Sequence, residues 1–290
     1  MKTFSPIAAA ILIAASGSVM ADDNTALQLQ LGGGNNATAD QSFLAAHNLI
    51  SQTQIGYVNK ADATQALHAY GKIYQVQLGI YNKASASQIL GLGNVSSSLQ
   101  VGVGNYSDTQ QIFEFFSHAN TDQYGKGNKS HTLQTFGAGN YSMVKQDGKS
   151  NEQSTTQIWS FGSKASTSQY GDYNMAHTTQ SGKNQDSDIL QVGIANYANV
   201  MQSNKNNTSY VGQVGVVNIA DVNQSGKNNV QVTLQGGLLN MASTHQYGNG
   251  NYSLTGQIGV LNHHYTTQFT DNNVAIGLQA GGGNFGVIVQ

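Results

Sequence analysis

Side chains of two kinds alternate along most of this chain at the two-residue period of a β-strand. Asn196, Ala198, Val200 and Gln202 alternate with residues of changing character at positions 197, 199 and 201. Successive side chains of a strand point to opposite faces, so only one of these sets can face inward. The first set recurs with little change along the chain, whereas the second varies among Lys, Asp, Tyr, His and Thr. The repeated set is therefore predicted to form the interior.

The alternating segments recur at a regular interval. Twelve times, a glutamine is followed two residues later by glycine and five residues later by asparagine. Successive leading glutamines are 24 residues apart once, then 23 residues apart five times, then 22 residues apart five times. Such a period indicates stacked supersecondary units. The leading glutamines are Gln30, Gln54, Gln77, Gln100, Gln123, Gln146, Gln169, Gln191, Gln213, Gln235, Gln257 and Gln279.

Each unit divides into two halves, as the glutamines at 191, 202 and 213 show. Between the halves lie segments such as Gly193 to Asn196, where glycine can adopt a positive φ and asparagine can bond to its own backbone. Each unit is therefore predicted to be strand, turn, strand, turn. A two-stranded unit cannot bury its own face, so neighbouring units must stack. We predict an all-β fold, a β-solenoid of coils of 22–23 residues with two parallel sheets, competent for cross-β assembly.

Stacking in register would place identical amides above one another, as in cross-β fibrils. Each amide would then form a hydrogen bond to the next coil, and these bonds would offset the free-energy cost of burying so many polar groups. The structural ladder is predicted to include Gln54, Gly56, Asn59, Gln77, Gly79, Asn82, Gln191, Gly193, Asn196, Gln213, Gly215, Asn218, Gln235, Gly237, Asn240, Gln257, Gly259 and Asn262.

The repeat also divides the chain. Residues 1–21 have a short basic region, an apolar stretch and small residues before Asp22, which is typical of a cleaved signal peptide. Residues 22–53 form an N-terminal segment with an irregular first coil. Residues 54–290 form the repeat solenoid, with 23-residue coils over 54–168 and 22-residue coils plus a final half coil over 169–290.

In the 23-residue coils the extra residue falls in the second turn. A distinctive position in this half lies two places after the second glutamine, where the 22-residue coils have Gly182, Asn204, Gly226, Gly248 or Thr270. Large apolar residues occupy that position in each of the 23-residue coils, and we call them the apolar arc: Leu67, Leu90, Phe113, Phe136 and Trp159. We expect these side chains to point inward and fill the wider turn. The alternative is an exposed strip, joined by Leu92, Phe115, Phe116 and Phe161, for lateral association or a partner.

The composition of the chain bears on which partners it is expected to bind. Only 9% of residues are charged, the net charge is −2, and there is neither arginine nor cysteine. A nucleic-acid partner is not expected, because it would require a clustered basic face. Lys183, Lys205 and Lys227 form a column in the second turns, which is either simply solvated or attractive to an anionic polysaccharide or lipopolysaccharide.

Candidate catalytic residues are few. Asp186 and Asp188 are the best acidic pair for calcium binding or acid–base chemistry. The next coil offers only Thr208 and Tyr210 beside them, which favours a solvated pair of carboxylates over a site. His263 and His264 are adjacent in a strand and therefore face opposite sides. We predict no enzymatic activity, no cofactor and no metal site.

The repeat resembles that of the curlin family of bacterial curli fibres, Q-x-G-x-x-N-x-A-x-x-x-Q, over nearly all of the chain after position 21. Complete matches include Gln54, Gly56, Asn59, Ala61 and Gln65, and also Gln213, Gly215, Asn218, Ala220 and Gln224. The alanine position departs in three coils, where it holds Gln153, His264 and Gly286, and looser rungs are expected there. The chain also has many more coils than a usual curlin.

The resemblance implies a secreted structural subunit of an extracellular functional amyloid, a pilus-like surface fibre of a Gram-negative biofilm that serves in adhesion. Its implied partners are other copies of itself, a nucleator subunit, an outer-membrane secretion pore and accessory chaperones, with matrix polysaccharide as a further candidate. The absence of arginine and the regular last repeat favour the major subunit over the nucleator. A monomeric solenoid that binds ice or glycan is the other alternative. It would require a regular array of outward residues, whereas the outward positions of this chain vary widely.

Overall fold

A computed structural model of the chain describes residues 23–42 and 44–290. The predicted signal peptide, residues 1–21, lies outside the described residues. In the described part, every regular element is a β-strand, and there is no helix long and apolar enough to cross a membrane.

The first twelve strands are β1 (Thr25–Gly33), β2 (Asn36–Ser42), β3 (Leu49–Tyr57), β4 (Lys60–Ala69), β5 (Lys72–Ile80), β6 (Lys83–Leu92), β7 (Val95–Val103), β8 (Tyr106–Phe115), β9 (His118–Lys126), β10 (Lys129–Ala138), β11 (Tyr141–Lys149) and β12 (Glu152–Phe161). The second twelve are β13 (Lys164–Asp172), β14 (Met175–Lys183), β15 (Asp186–Ile194), β16 (Tyr197–Lys205), β17 (Thr208–Val216), β18 (Ile219–Lys227), β19 (Val230–Leu238), β20 (Met241–Gln246), β21 (Tyr252–Val260), β22 (His263–Gln268), β23 (Val274–Gly282) and β24 (Phe285–Val289).

The strands form two parallel sheets of 12 strands each, which confirms the predicted β-solenoid. Sheet 1 contains the odd-numbered strands and sheet 2 the even-numbered strands, in chain order. Each strand pairs with the equivalent strand of the next coil, and equivalent repeat positions are opposite each other. In sheet 1, for example, Gln191 pairs with Gln213 and Gly193 with Gly215.

The interior between the sheets is thin and largely polar. Small side chains such as Ala198 and Ser209 are fully buried and let the sheets approach closely. Two apolar clusters interrupt the polar interior, one around Ile50 and Ile73 and the other around Ile189. Gln153 and His264 are also buried at the alanine position. Nδ1 of His264 is buried without a hydrogen-bond partner among the described residues, and the looser packing expected at the three atypical rungs stays a prediction.

The wide coils contain a bulge in sheet 2, and it reverses the predicted orientation of the apolar arc. Leu67, Leu90, Phe113, Phe136 and Trp159 all have φ between 50° and 57°. This left-handed conformation interrupts the alternation of faces, so the side chains turn outward. Phe113, Phe136 and Trp159 are 41%, 38% and 62% exposed. The expectation that the arc fills the interior is therefore wrong, and its aromatic members form an exposed strip. Leu44, with φ 57° and 60% exposure, has the same conformation in the first coil.

Candidate functional site: amide ladders and open sheet edges

A continuous ladder of glutamine side chains runs through sheet 1 from Gln54 to Gln279. In each coil, the amide Nε2 donates to Oε1 of the glutamine in the next coil at 2.7–2.9 Å. The same nitrogen also donates to a backbone carbonyl at the start of the opposite strand, as Gln191 does to Met175 at 2.9 Å. Because all of these glutamines except Gln279 are buried, the ladder satisfies polar groups that water cannot reach.

Sheet 2 contains a second glutamine ladder, which extends from Gln41 to Gln290. Successive members are joined by hydrogen bonds of 2.8–3.1 Å. The predicted ladder included only the glutamines that lead each unit. The signal for the second ladder was present in the sequence, because a glutamine also leads every second half.

Asparagines at the turn after sheet 1 link neighbouring coils through their backbones. Oδ1 of Asn196 accepts the backbone N–H of Asn218 at 3.1 Å, and its Nδ2 donates to the carbonyl of Gly215 at 3.0 Å. The bond from backbone N–H to Oδ1 recurs in every coil from Asn35 to Asn284. These asparagines therefore fix the register between coils as well as the turn.

The repeated glycine is needed because the coils approach one another closely. Gly193 has φ 127°, and a Cβ placed on it would lie 1.9 Å from the carbonyl oxygen of Gly215. The turn uses a second positive φ at the residue before asparagine, where Ala195 has φ 55° and Val217 has φ 56°. A β-branched residue is unfavourable in this conformation. The coils stacked on either side hold the residue before asparagine in this conformation.

The wide turn buries two ionisable side chains that the repeat pattern does not predict to be buried. The residue after each arc position faces inward, and His68, Gly91, Glu114, Gly137 and Ser160 form this column. The two glycines leave space for the large side chains, since a Cβ on Gly137 would lie 2.7 Å from Oε1 of Glu114. The alternation of large and small residues is the signal for this column, but it becomes visible only once the bulge reverses the faces.

Glu114 is fully buried and surrounded by donors. Its Oε2 accepts from Ser117 Oγ at 2.6 Å and from Asn140 Nδ2 at 3.3 Å. Burial raises the pKa of the Glu114 carboxyl to about 7, although these hydrogen bonds oppose the shift. Burial lowers the pKa of His68 to about 4. Asn94 Nδ2 lies 3.0 Å from His68 Nε2, which must accept that bond, so Nδ1 carries the proton of the neutral ring and faces Asn48 Oδ1 at 3.3 Å.

The candidate catalytic residues lie in two different strands, Asp186 and Asp188 in β15 and His263 and His264 in β22. Asp186 is opposite Lys164 and Thr208 in register, and Asp188 is opposite Ser166 and Tyr210. His264 is buried and its Nε2 contacts Thr266 Oγ1 at 3.1 Å, whereas His263 faces the other side. Within residues 23–42 and 44–290, no three His, Cys, Asp or Glu side chains are grouped so as to hold a metal ion.

Each sheet ends in a strand with one unpaired side in the described part of the chain: β1 and β2 at one end, and β23 and β24 at the other. His263 donates its backbone N–H forward to Asn284, whereas Gln290 donates its N–H backward to Thr267. Alternate residues of a parallel strand direct their backbone groups to opposite neighbours. Phe285, Val287 and Val289 therefore direct their N–H groups away from β22, toward the open side.

The two ends of the solenoid share the spacing of the repeat. Gln41 follows Gln30 at an interval of 11 positions, and Gln290 follows Gln279 at the same interval. Every ladder glutamine from Gln54 to Gln257 donates to the next coil, so Gln279 directs an amide hydrogen toward the open end. Asn284 likewise directs its Oδ1 toward the position of a next asparagine N–H. Gln279 and Asn284 thus present to Gln30 and Asn35 of another copy the same groups that join neighbouring coils within the chain.

No protein-family model matches the chain, and no curated protein matches it in sequence.

Proposed function

We propose that this chain is the structural subunit of an extracellular, curli-like functional amyloid fibre in a biofilm matrix. It serves adhesion and surface attachment and assembles by strand addition at its open edges. The observation that carries the proposal is the match between the two ends, where β23 and β24 present the same glutamine, glycine and asparagine spacing as β1 and β2.

An open strand edge is a template for pairing with another chain. Contact between the two different ends is heterologous, and such contacts give filaments when the rotation does not close. Each added copy would extend both sheets, continue the ladder that runs from Gln41 to Gln290, and leave a new edge of the same kind. Growth therefore needs no surface other than the ends.

Export and assembly partners belong to the same proposal and rest on the resemblance to curlin. They are a signal peptide in residues 1–21, an outer-membrane secretion pore, accessory chaperones and a nucleator subunit. The regular last repeat and the absence of arginine support a role in the fibre body rather than in nucleation.

The experiment uses seeded growth of the purified chain, followed by amyloid-dye fluorescence and fibre diffraction. The wild type is expected to elongate its own seeds and to give a cross-β pattern without a partner protein. Val287→Pro removes an N–H that points to the open edge and places a proline ring there, so its elongation should be slower by roughly tenfold or more. Val287→Thr retains the N–H and serves as the matched control.

Circular dichroism and denaturant unfolding of each monomer distinguish blocked growth from misfolding. The proposal is wrong if the wild-type chain stays a soluble monomer under seeding, as a monomeric ice- or glycan-binding solenoid would. It is also wrong if folded Val287→Pro elongates at the wild-type rate, because growth would then not use this edge.

A further inference from the structure

The change of coil width leaves an open groove on one side of the solenoid. Trp159 is the last bulge residue, because the strand stretch from Gln157 to Ser160 is opposite the shorter stretch from Gln180 to Gly182. The groove beyond Trp159 has a volume of about 590 Å³. Its lining includes Trp159, Phe161, Gly182, Lys183, Asn204, Lys205 and Lys227.

One end of the groove is aromatic. The Trp159 indole stacks on Phe136 with ring centres 4.6 Å apart and an interplanar angle of 11°, and Phe136 stacks on Phe113 at 5.0 Å. Phe136 covers one face of the indole and does not line the groove. The opposite face therefore meets the groove, in agreement with the 62% exposure of Trp159. A rigid, flat, exposed indole is suited to stacking against another flat surface.

Three lysines also line the groove. Lys183, Lys205 and Lys227 pair in register on consecutive coils and are all exposed. None has an ion-pair partner among residues 23–42 and 44–290. Strand spacing sets their backbones only about 4.8 Å apart, so the like charges repel one another. The nearest acid along the column is Asp271, and Asn249 lies between it and Lys227.

We propose that this groove binds an acidic polysaccharide. The apolar C–H face of one sugar ring stacks on Trp159, and carboxylates on following sugars pair with Lys183, Lys205 and Lys227. A linear polymer suits the site because the lysines form an evenly spaced row, in register with Phe161, and line the same groove as the indole.

The floor of the groove favours a sugar over another protein surface. Ser181, Ser203 and Asn204 line it and offer hydrogen bonds to hydroxyl groups. The site is complete within one chain and lies on the side of the solenoid, away from β1, β2, β23 and β24. Binding therefore does not require fibre growth, and it can be measured whether or not the chain polymerises.

The probe is polygalacturonate, with neutral dextran and inorganic polyphosphate as comparison polymers. Trp159 is the only tryptophan in the chain, so its fluorescence reports directly on the groove. Affinity is measured by titration calorimetry at low and high salt. Polygalacturonate is expected to bind and to shift the Trp159 emission to shorter wavelength, with weaker binding at high salt. Dextran and polyphosphate should bind more weakly.

Two variants test the two halves of the site. The triple variant Lys183→Gln, Lys205→Gln, Lys227→Gln should weaken polygalacturonate binding about tenfold. The control triple variant Lys126→Gln, Lys129→Gln, Lys164→Gln makes the same change in net charge at exposed positions elsewhere and should have little effect. Trp159→Leu keeps an apolar side chain but removes the ring, and should weaken binding by roughly fivefold.

Three results would overturn the proposal. Equal weakening by both triple variants would mean general charge attraction. Polyphosphate that binds as tightly as polygalacturonate, with Trp159→Leu unaltered, would mean a site for any polyanion. Trp159→Leu that changes lateral bundling of fibres but not polymer binding would mean that the aromatic strip meets a second copy. Circular dichroism of each variant checks that it is folded.

Discussion

Nε2 of Gln111 donates to Oε1 of Gln134 at 2.8 Å, and Oε1 of Gln111 accepts from Nε2 of Gln88 at the same distance. Gln111 is fully buried, whereas the preceding Gln110 faces outward and bonds to Asp108 at 3.1 Å. The amide of Gln111 therefore links neighbouring coils, whereas the amide of Gln110 bonds to a residue of its own strand.

Gln111→Leu should therefore destabilise the chain, while Gln110→Leu should not. Leucine at 111 removes one of the two acceptors of the Gln88 amide and leaves the Oε1 of Gln134 without its donor, at a cost of roughly 2–4 kcal/mol. Leucine at 110 should change the free energy of unfolding by less than about 0.5 kcal/mol. Guanidinium unfolding of both variants measures the difference, and equal effects would contradict a stabilising role for the ladder.

Gly237 and Gly236 form a matched pair for testing the close approach of coils. Gly237 has φ 114°, and a Cβ on it would lie 2.0 Å from the carbonyl oxygen of Gly259. Gly237→Ala should cost roughly 3 kcal/mol or more, since the atom it meets is backbone and the φ is unfavourable.

A Cβ on Gly236 would have no neighbour nearer than 4.0 Å. Gly236→Ala should therefore be neutral or stabilise the fold by up to about 1 kcal/mol. Thermal and denaturant unfolding of the two alanine variants measure this contrast. Similar losses at both positions would show that the coil spacing does not depend on the repeated glycine.

Glu114 should make the fold less stable as pH rises. Its pKa is about 7 in the fold, against an ordinary value of 4.5, so the folded chain retains a proton that the unfolded chain has lost between these values. The contribution of Glu114 is therefore most favourable below about pH 4.5, declines up to about pH 7 and is constant above it, a total change of about 3 kcal/mol. Glu114→Gln should abolish this decline and raise stability at pH 8. Unfolding curves from pH 4 to pH 8 that have the same slope in both proteins would contradict it.

His68 should act in the opposite direction. Its pKa is about 4 in the fold, against an ordinary value of 6.5, so the folded chain resists a proton that the unfolded chain takes up. Its contribution is complete above about pH 6.5 and declines as pH falls toward 4. Because this window overlaps that of Glu114, the wild type alone shows only the sum. His68→Asn in the Glu114→Gln background should flatten the remaining acid slope, and unfolding at pH 4.5 and 7 measures it. A slope that persists would assign the effect to other groups.

The fold was predictable because the same side chains return at the same positions in every coil. Gln191, Gly193 and Asn196 each have a counterpart at the same repeat position in the next coil, so stacking, parallel pairing and register all follow from one interval. The glutamine ladder of sheet 1 needed only the alternation of faces to be located. The function of the edges is a proposal that rests on the same repetition at the two ends.

The wide turn was not predictable in the same way. Alternation places Trp159 on the inner face, but its φ of 50° reverses the faces, so the ring is exposed and Ser160 is buried instead. The same backbone conformation in the other wide turns buries Glu114 and His68. At Trp159, the aromatic stack ends in an open groove. The sequence by itself determined the period, the register and the ladders, because these depend on identity between coils. Only the tertiary structure decided which way the wide turn faces, because a left-handed residue can be held in place only by the coils stacked around it.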